Sequence, residues 1–203
     1  MVDRLLEDWL AESPPALAPA GRVGGTTCAG CGLAGGSPDD YRRALPSGET
    51  LCPVCALGPI AAWEPDRVRL LLAPELDQGR LNGLVTQLMV DRLRARAGEP
   101  VSSGIDAVLL AHWLETLWRR ARATAAALPW AATPARVRHT LRALPAEPRA
   151  RLVAELAALR YLPEPDDPEL ARFFDRRRAL GPPPPVVAPG SGRESRVSRG
   201  ENR

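Results

Sequence analysis

Apolar residues recur every three or four positions at Leu81, Leu84, Val85, Leu88, Met89 and Leu93, the spacing of one face of an α-helix. Asp77 stands where a helix cap belongs, and Gly98-Glu99-Pro100 ends the pattern. The next helix is expected to begin near Ser102 or Ser103. From Ile105 to Trp118 it is apolar on nearly every side, which predicts a central, buried helix. Thr133-Pro134 and Asp167-Pro168 each place a cap residue before a proline at the first helical position, a start signal in both cases. A further helix is expected from about Glu147 to Tyr161. Near the start of the chain, Val2 to Glu12 reads as a short helix with Leu5, Leu6, Trp9 and Leu10 on one side, stopped by Ser13-Pro14-Pro15.

Strand-like alternation is seen only inside a Gly-rich, cysteine-bearing zone. There Tyr41 to Leu45 and Glu49 to Leu51 predict two short strands around Pro46-Ser47-Gly48. From Gly181 the chain runs through four prolines into Gly, Ser and Arg, has no apolar face, and is expected to be disordered. The organisation read from the pattern is a helix and linker over 1–21, a four-cysteine zinc module over 22–60, an α-helical domain over 61–180 and a disordered tail over 181–203. The fold class is therefore mainly α: a small N-terminal zinc-ribbon-like module followed by an α-helical bundle.

The four cysteines carry the clearest chemistry. Cys28-Ala-Gly-Cys31 and Cys52-Pro-Val-Cys55 form two C-x2-C pairs, a spacing specific for zinc. Two residues between thiolates let one tight turn present both sulfurs to one ion, and two such turns complete a tetrahedron. Gly32 follows the first pair, where positive φ would relieve the turn. With Cys28, Cys31, Cys52 and Cys55 all ligating, one structural Zn2+ has no open position for water or substrate. Four thiolates around a dication leave a double negative charge, which Arg22, Arg42 and Arg43 lie close enough in sequence to offset. The rival reading is a redox role for Cys52-Pro53-Val54-Cys55. Thiol oxidoreductases place such a pair at a helix start in a βαβ context, and the sequence shows no such context.

Composition changes the picture in one respect. All 27 basic residues are arginine, and the formal net charge is only +3. GC-rich coding bias accounts for missing lysine; selection for guanidinium forks that grip phosphates is the other reading. The arginines are uneven. Residues 91–160 hold 12 Arg against 6 Asp+Glu, whereas residues 1–60 hold 4 against 7. Three clusters stand out: Arg92, Arg94 and Arg96; Arg119, Arg120 and Arg122; Arg136, Arg138 and Arg142. They read either as solvated helix faces or as a phosphate-contacting surface whose binding weakens with salt. A helix-turn-helix over Thr133 to Tyr161 is disfavoured by its proline-rich linker, Leu144 to Pro148.

Other chemistry is absent from the pattern. His112, beside Trp113, reads as a core or boundary histidine, and His139 as part of a solvated face. Asp39-Asp40 and Asp166-Asp167 adjoin prolines or turns and read as caps. A nucleobase-deaminase signature would need an H-x-E that the chain lacks. With no P-loop, dinucleotide fingerprint, nucleophile elbow or H-E-x-x-H motif, the chain is read as a non-enzyme without a small-molecule substrate. No apolar run of about 18 residues occurs, and the acidic, amphipathic start lacks a signal peptide's core, so a cytoplasmic protein without a membrane partner is expected.

A four-cysteine module, C-A-G-C-G then C-P-V-C-A, leading into a compact helical region in a chain near 200 residues, resembles the small large-subunit proteins of type IV CRISPR effector complexes. The resemblance covers the first 60 residues by motif and the rest by class. It implies a subunit of a ribonucleoprotein, partnered by guide RNA and/or DNA and by other protein subunits, that joins near the guide's 5′ end. Only the four cysteines carry over residue by residue. The alternative is a zinc-ribbon protein-interaction adaptor that does not touch nucleic acid.

Overall fold

The computed structural model describes residues 7–20, 27–44, 47–101 and 106–181. The expectations for residues 2–6, for Arg22, for Leu45 and Pro46, for the helix start at Ser102 or Ser103 and for tail disorder over 182–203 lie outside them. Residues 7–10 are helical. Three short strands follow, β1 (Leu17–Pro19), β2 (Arg42–Ala44) and β3 (Thr50–Leu51). They form one antiparallel sheet in the order β1-β2-β3, with Ala18 opposite Arg43 and Arg43 opposite Thr50. The predicted hairpin is thus present, and β1 extends it.

Helix α1 (Pro53–Ile60) begins inside the second cysteine pair. It is followed by β4 (Val68–Leu72), α2 (Gln78–Arg96), α3 (Ala107–Ala127), α4 (Pro134–Ala143), α5 (Ala146–Leu156), β5 (Leu159–Pro163) and α6 (Pro168–Ala179). The caps predicted from sequence are made. Asp77 accepts from the amides of Gly79 and Arg80, Thr133 from Arg136, and Asp167 from Glu169 and Leu170. Gly98, at φ +70°, lies just past the end of α2.

Two features depart from the sequence reading. Strands occur outside the cysteine zone: β4 and β5 pair antiparallel, with Leu70 opposite Tyr161, and so clamp the beginning of the helical region to its end. The helix expected to reach Tyr161 stops at Leu156, and Leu159–Pro163 is strand. Every residue of β5 is buried, so it shows no period-two alternation that would separate it from a buried helical turn. Second, α3 is not buried all round. Leu110, Leu114, Leu117, Ala121 and Thr124 face inward, while Val108 is 81% exposed and Trp113 46%.

One apolar cluster joins the cysteine region to β5 and α6. It unites Cys28, Tyr41, Cys52, Val54 and Leu57 of the cysteine region with Tyr161, Leu170, Phe173 and Phe174. A second cluster lies between β4, α2 and α3, around Leu71, Leu81, Leu88, Leu110 and Leu117. Trp9 is buried and donates its indole N–H to the Gly58 carbonyl at 2.8 Å, fixing the start of the chain to the end of α1. Arg67, just before β4, crosses to α6, donating to Asp167 at 2.5 and 3.2 Å and to Glu169 at 2.9 Å. Arg42 on β2 reaches the other oxygen of Glu169 at 2.9 Å.

Candidate metal centre

The two cysteine pairs meet by different local devices. The first sits in a turn whose flanks, Thr27 and Ala34, form an antiparallel bridge. Inside it the Cys28 amide donates to the Leu33 carbonyl at 2.8 Å and the Gly32 amide to the Cys28 carbonyl at 2.9 Å. Gly32, at φ +73°, adopts the left-handed conformation that the turn was expected to require. The second pair uses a helix start: Cys52 is the N-cap of α1, Pro53 the first helical residue, and Cys55 lies one turn on. Proline needs no amide partner there, and its fixed φ sets the turn that brings both sulfurs to one side.

The four sulfurs lie within 4.8 Å of one another. Cys28, Cys52 and Cys55 are buried and Cys31 is half-exposed. A zinc tetrathiolate with Zn–S bonds of about 2.3 Å has sulfur–sulfur edges of about 3.8 Å. The Cys31 and Cys52 sulfurs are 3.7 Å apart, that edge and not a disulfide's ~2.05 Å. The donor set therefore fits one zinc ion, closed on all four sides by protein.

Without a cation the four thiols could not ionise together. Hydrogen bonds from Cys31, Cys52 and Cys55 hold the Cys28 thiol below its ordinary value, while the bond to Cys28, the other thiols and burial push Cys55 up. A dication removes the conflict by taking all four as thiolates.

Polar groups around the sulfurs orient them. The Cys52 amide donates to the Cys28 sulfur at 3.2 Å, and the Asn82 side-chain amide on α2 donates to the Cys55 sulfur at 3.2 Å. Asn82 also donates to the Tyr161 hydroxyl at 2.6 Å. The same hydroxyl lies 3.3 Å from the carbonyls of Val54 and Cys55, both of which can accept its proton. Gln78, one turn earlier on α2, donates to the Asn82 side-chain oxygen at 2.8 Å and accepts from the Tyr161 amide at 2.9 Å. Burial first, then the nearby sulfurs, push the Tyr161 phenol up. Such outer partners fix ligand direction and raise metal affinity.

Asn82, Gln78 and Tyr161 were not singled out from the sequence. The available signal was Gln78, Asn82 and Thr86, polar residues four apart on a helix otherwise placed by its leucines; all three are buried. Two glycines allow the approach. A Cβ on Gly79 would lie 2.2 Å from the Gly30 carbonyl oxygen, and one on Gly30 2.9 Å from the Cys55 sulfur. The first cysteine turn thus rests directly on the first turn of α2.

Arg42 is held by Glu169, and Arg43 lies 3.5 Å from the Ala20 carbonyl. Cys52 and Cys55 stand at the positive N-terminal end of α1, and Arg177 on α6 donates to the Ala34 and Gly35 carbonyls, just beyond the first cysteine turn, at 3.0 and 2.7 Å. Cys52 and Cys55 do occupy a helix start, as a redox pair would. The strand after α1, however, pairs with β5 in a separate sheet, so no βαβ unit surrounds them.

The nine arginines expected to meet nucleic acid separate into two groups. Arg94 is 2% exposed, 3.7 Å from the buried Asp91 carboxylate, and cannot reach a phosphate. Arg120 is bound by Glu75 and the Leu72 carbonyl, and Arg122 by Glu115. Arg138 lies over the Trp63 ring at 4.8 Å and donates to the Ala11 carbonyl. Arg96, Arg119, Arg136 and Arg142 are exposed and Arg92 half-buried; none makes an ion pair among the described residues. His112 is exposed, a correction to the core or boundary position expected, because the side of α3 that carries it is not covered by the described residues. His139 is exposed as expected. Asp40 caps its turn and pairs with Arg176; Asp167 caps α6.

No protein-family model and no curated protein matches the chain. No helix among the described residues is long and apolar enough to cross a membrane.

Proposed function

We propose that the chain is a non-catalytic, zinc-binding subunit of a nucleoprotein complex, an RNA-guided effector of the CRISPR type, contacting guide RNA and/or target-flanking DNA. The observation that carries the reading is the closed set of four sulfurs braced by Asn82 and the Cys52 amide. An ion enclosed in this way organises the chain and offers no site for chemistry. Nucleic acid as partner is supported by charge: Arg96, Arg119, Arg136 and Arg142 are exposed without a carboxylate partner among the described residues. Purified chain that copurifies with nuclease-sensitive material absorbing as nucleic acid supports the proposal. Chain free of nucleic acid, and unable to bind single- or double-stranded oligonucleotides at low salt, overturns it.

The adaptor reading draws on a separate observation. Val108, Leu109 and Trp113 are all exposed on the first two turns of α3, large apolar side chains of the kind that meet protein. Within the proposed complex these side chains meet another subunit. A protein partner that survives nuclease digestion, in a chain that binds no oligonucleotide, selects the adaptor instead.

A further inference from the structure

Between Thr116 and Ala146 the chain carries six arginines and no aspartate or glutamate. Within this stretch the 3-10 turn Pro129–Ala131 and α4 enclose an open groove of about 490 Å³, lined by Pro129, Trp130, Ala135, Arg136, His139 and Thr140. Trp130 is half-buried: it packs against the main apolar cluster and also lines the groove. Arg136 donates one N–H to the Pro129 carbonyl at 3.0 Å, which holds the guanidinium at the rim with other donors unspent. His139 and Arg142 follow at three-residue steps along the same exposed side of α4. An aromatic platform beside exposed arginines and an imidazole, with no carboxylate in the surrounding sequence, is the arrangement by which proteins hold unpaired bases.

We propose that this groove is a base-stacking site for single-stranded nucleic acid, with an unpaired base on Trp130 and the flanking phosphates along Arg136, His139 and Arg142. The inference rests on the nucleoprotein reading and adds to it where the strand lies and that it is unpaired. Sequence preference is not expected, since every base offers a π-face.

The test is fluorescence anisotropy of labelled RNA and DNA strands of one sequence, about 12 nucleotides long to span a single-strand site, across a salt titration. Zinc content and unfolding temperature of each variant serve as controls for folding. Trp130→Leu keeps apolar volume but loses the ring; it should weaken binding about tenfold without changing the salt slope. Trp130→Phe should bind nearly as the parent does. Arg136→Gln with Arg142→Gln should flatten the log–log salt slope by about 0.7 per lost contact. A duplex of the same length should bind more weakly than the single strand. If the parent binds and Trp130→Leu binds equally well, or the duplex binds as tightly, the groove is not a stacking site and the nucleoprotein reading stands. If the parent binds the duplex but neither single strand, the groove proposal alone falls; if it binds none of the three, both fall.

Discussion

Asn82 and Cys55 are joined by a single hydrogen bond, 3.2 Å from side-chain amide to sulfur, and through it the second turn of α2 orients a ligand 27 positions away in the chain. The amide also reaches the Tyr161 hydroxyl, so the cysteine cluster, α2 and β5 share one buried polar junction. Replacing Asn82 by Leu fills the space but removes the N–H donor and leaves the Tyr161 oxygen short of a partner. The parent should hold one zinc per chain by elemental analysis. Asn82→Leu should fold with zinc yet release it to a chelator with about 10- to 100-fold lower affinity, the usual effect of losing an outer partner. Unchanged chelator competition would show that the bond does not tune the ion.

Gly79 offers a test in which two effects oppose each other. In a helix, Gly→Ala is stabilising by about 1 kcal/mol. At Gly79 the new Cβ would stand 2.2 Å from the Gly30 carbonyl oxygen, and backbone must move to relieve it. Overpacking of this kind costs about 1–3 kcal/mol. Gly79→Ala should therefore lower the unfolding temperature and weaken zinc retention. Gly83→Ala, whose Cβ would meet nothing closer than the Cys31 carbonyl at 3.8 Å, should be neutral or stabilising. Thermal melts of the two variants beside the parent decide it.

The element starts and stops were legible because they are written in local chemistry. Asp77, Thr133-Pro134, Asp167-Pro168 and Gly98 each act within a few residues of themselves. The four sulfurs were legible for the same reason, since each pair is a local turn. What joins them was not. Tyr161 sits in a strand buried on every residue, where helix and strand give the same apolar run, and its pairing with Leu70 spans most of the helical region. Arg94 looked like its neighbours in a basic cluster, and only the tertiary fold turns it inward beside Asp91. The outer face of α3 misled in the opposite direction, because apolar residues on every side of a helix do not by themselves show what covers them.

The alkaline limb of stability should report both tyrosines. Tyr41 is buried and donates its hydroxyl to the Gly35 carbonyl at 2.7 Å in the loop after the first cysteine turn; burial pushes its phenol up to about 12. Tyr161 is raised in the same direction, again by burial first. A folded value above the unfolded ~10 means that stability is fully present below about pH 10 and is lost as pH rises through the folded value. Tyrosinate absorbance should therefore stay flat past about pH 10 and then rise together with unfolding. Gradual ionisation of folded protein from about pH 9 would mean that the phenols are open to water. Tyr41→Phe should start less stable and lose less between about pH 10 and the folded value of about 12.

The salt dependence of nucleic-acid binding should follow exposure and not sequence clustering. Each phosphate contact released contributes about 0.7 to 0.9 to the log–log slope. Arg96, Arg119 and Arg142 come from three different sequence clusters, yet all are exposed and none makes an ion pair among the described residues. Changing these three to Gln should flatten the slope and weaken binding at moderate salt, with zinc content and unfolding temperature unaltered. Arg120 and Arg122 are already engaged by Glu75 and Glu115, so their replacement by Gln should shift the slope less. Arg94→Gln should behave differently again. It takes a buried cation away from the buried Asp91 carboxylate, and breaking a buried pair in this way costs about 3–5 kcal/mol. Its loss of binding, if any, should track the fraction unfolded and vanish on cooling, with the slope of the folded fraction unchanged. A slope that falls equally for the exposed triple variant and for Arg120→Gln with Arg122→Gln would mean that the ion pairs open on binding and the whole arginine-rich region meets the strand.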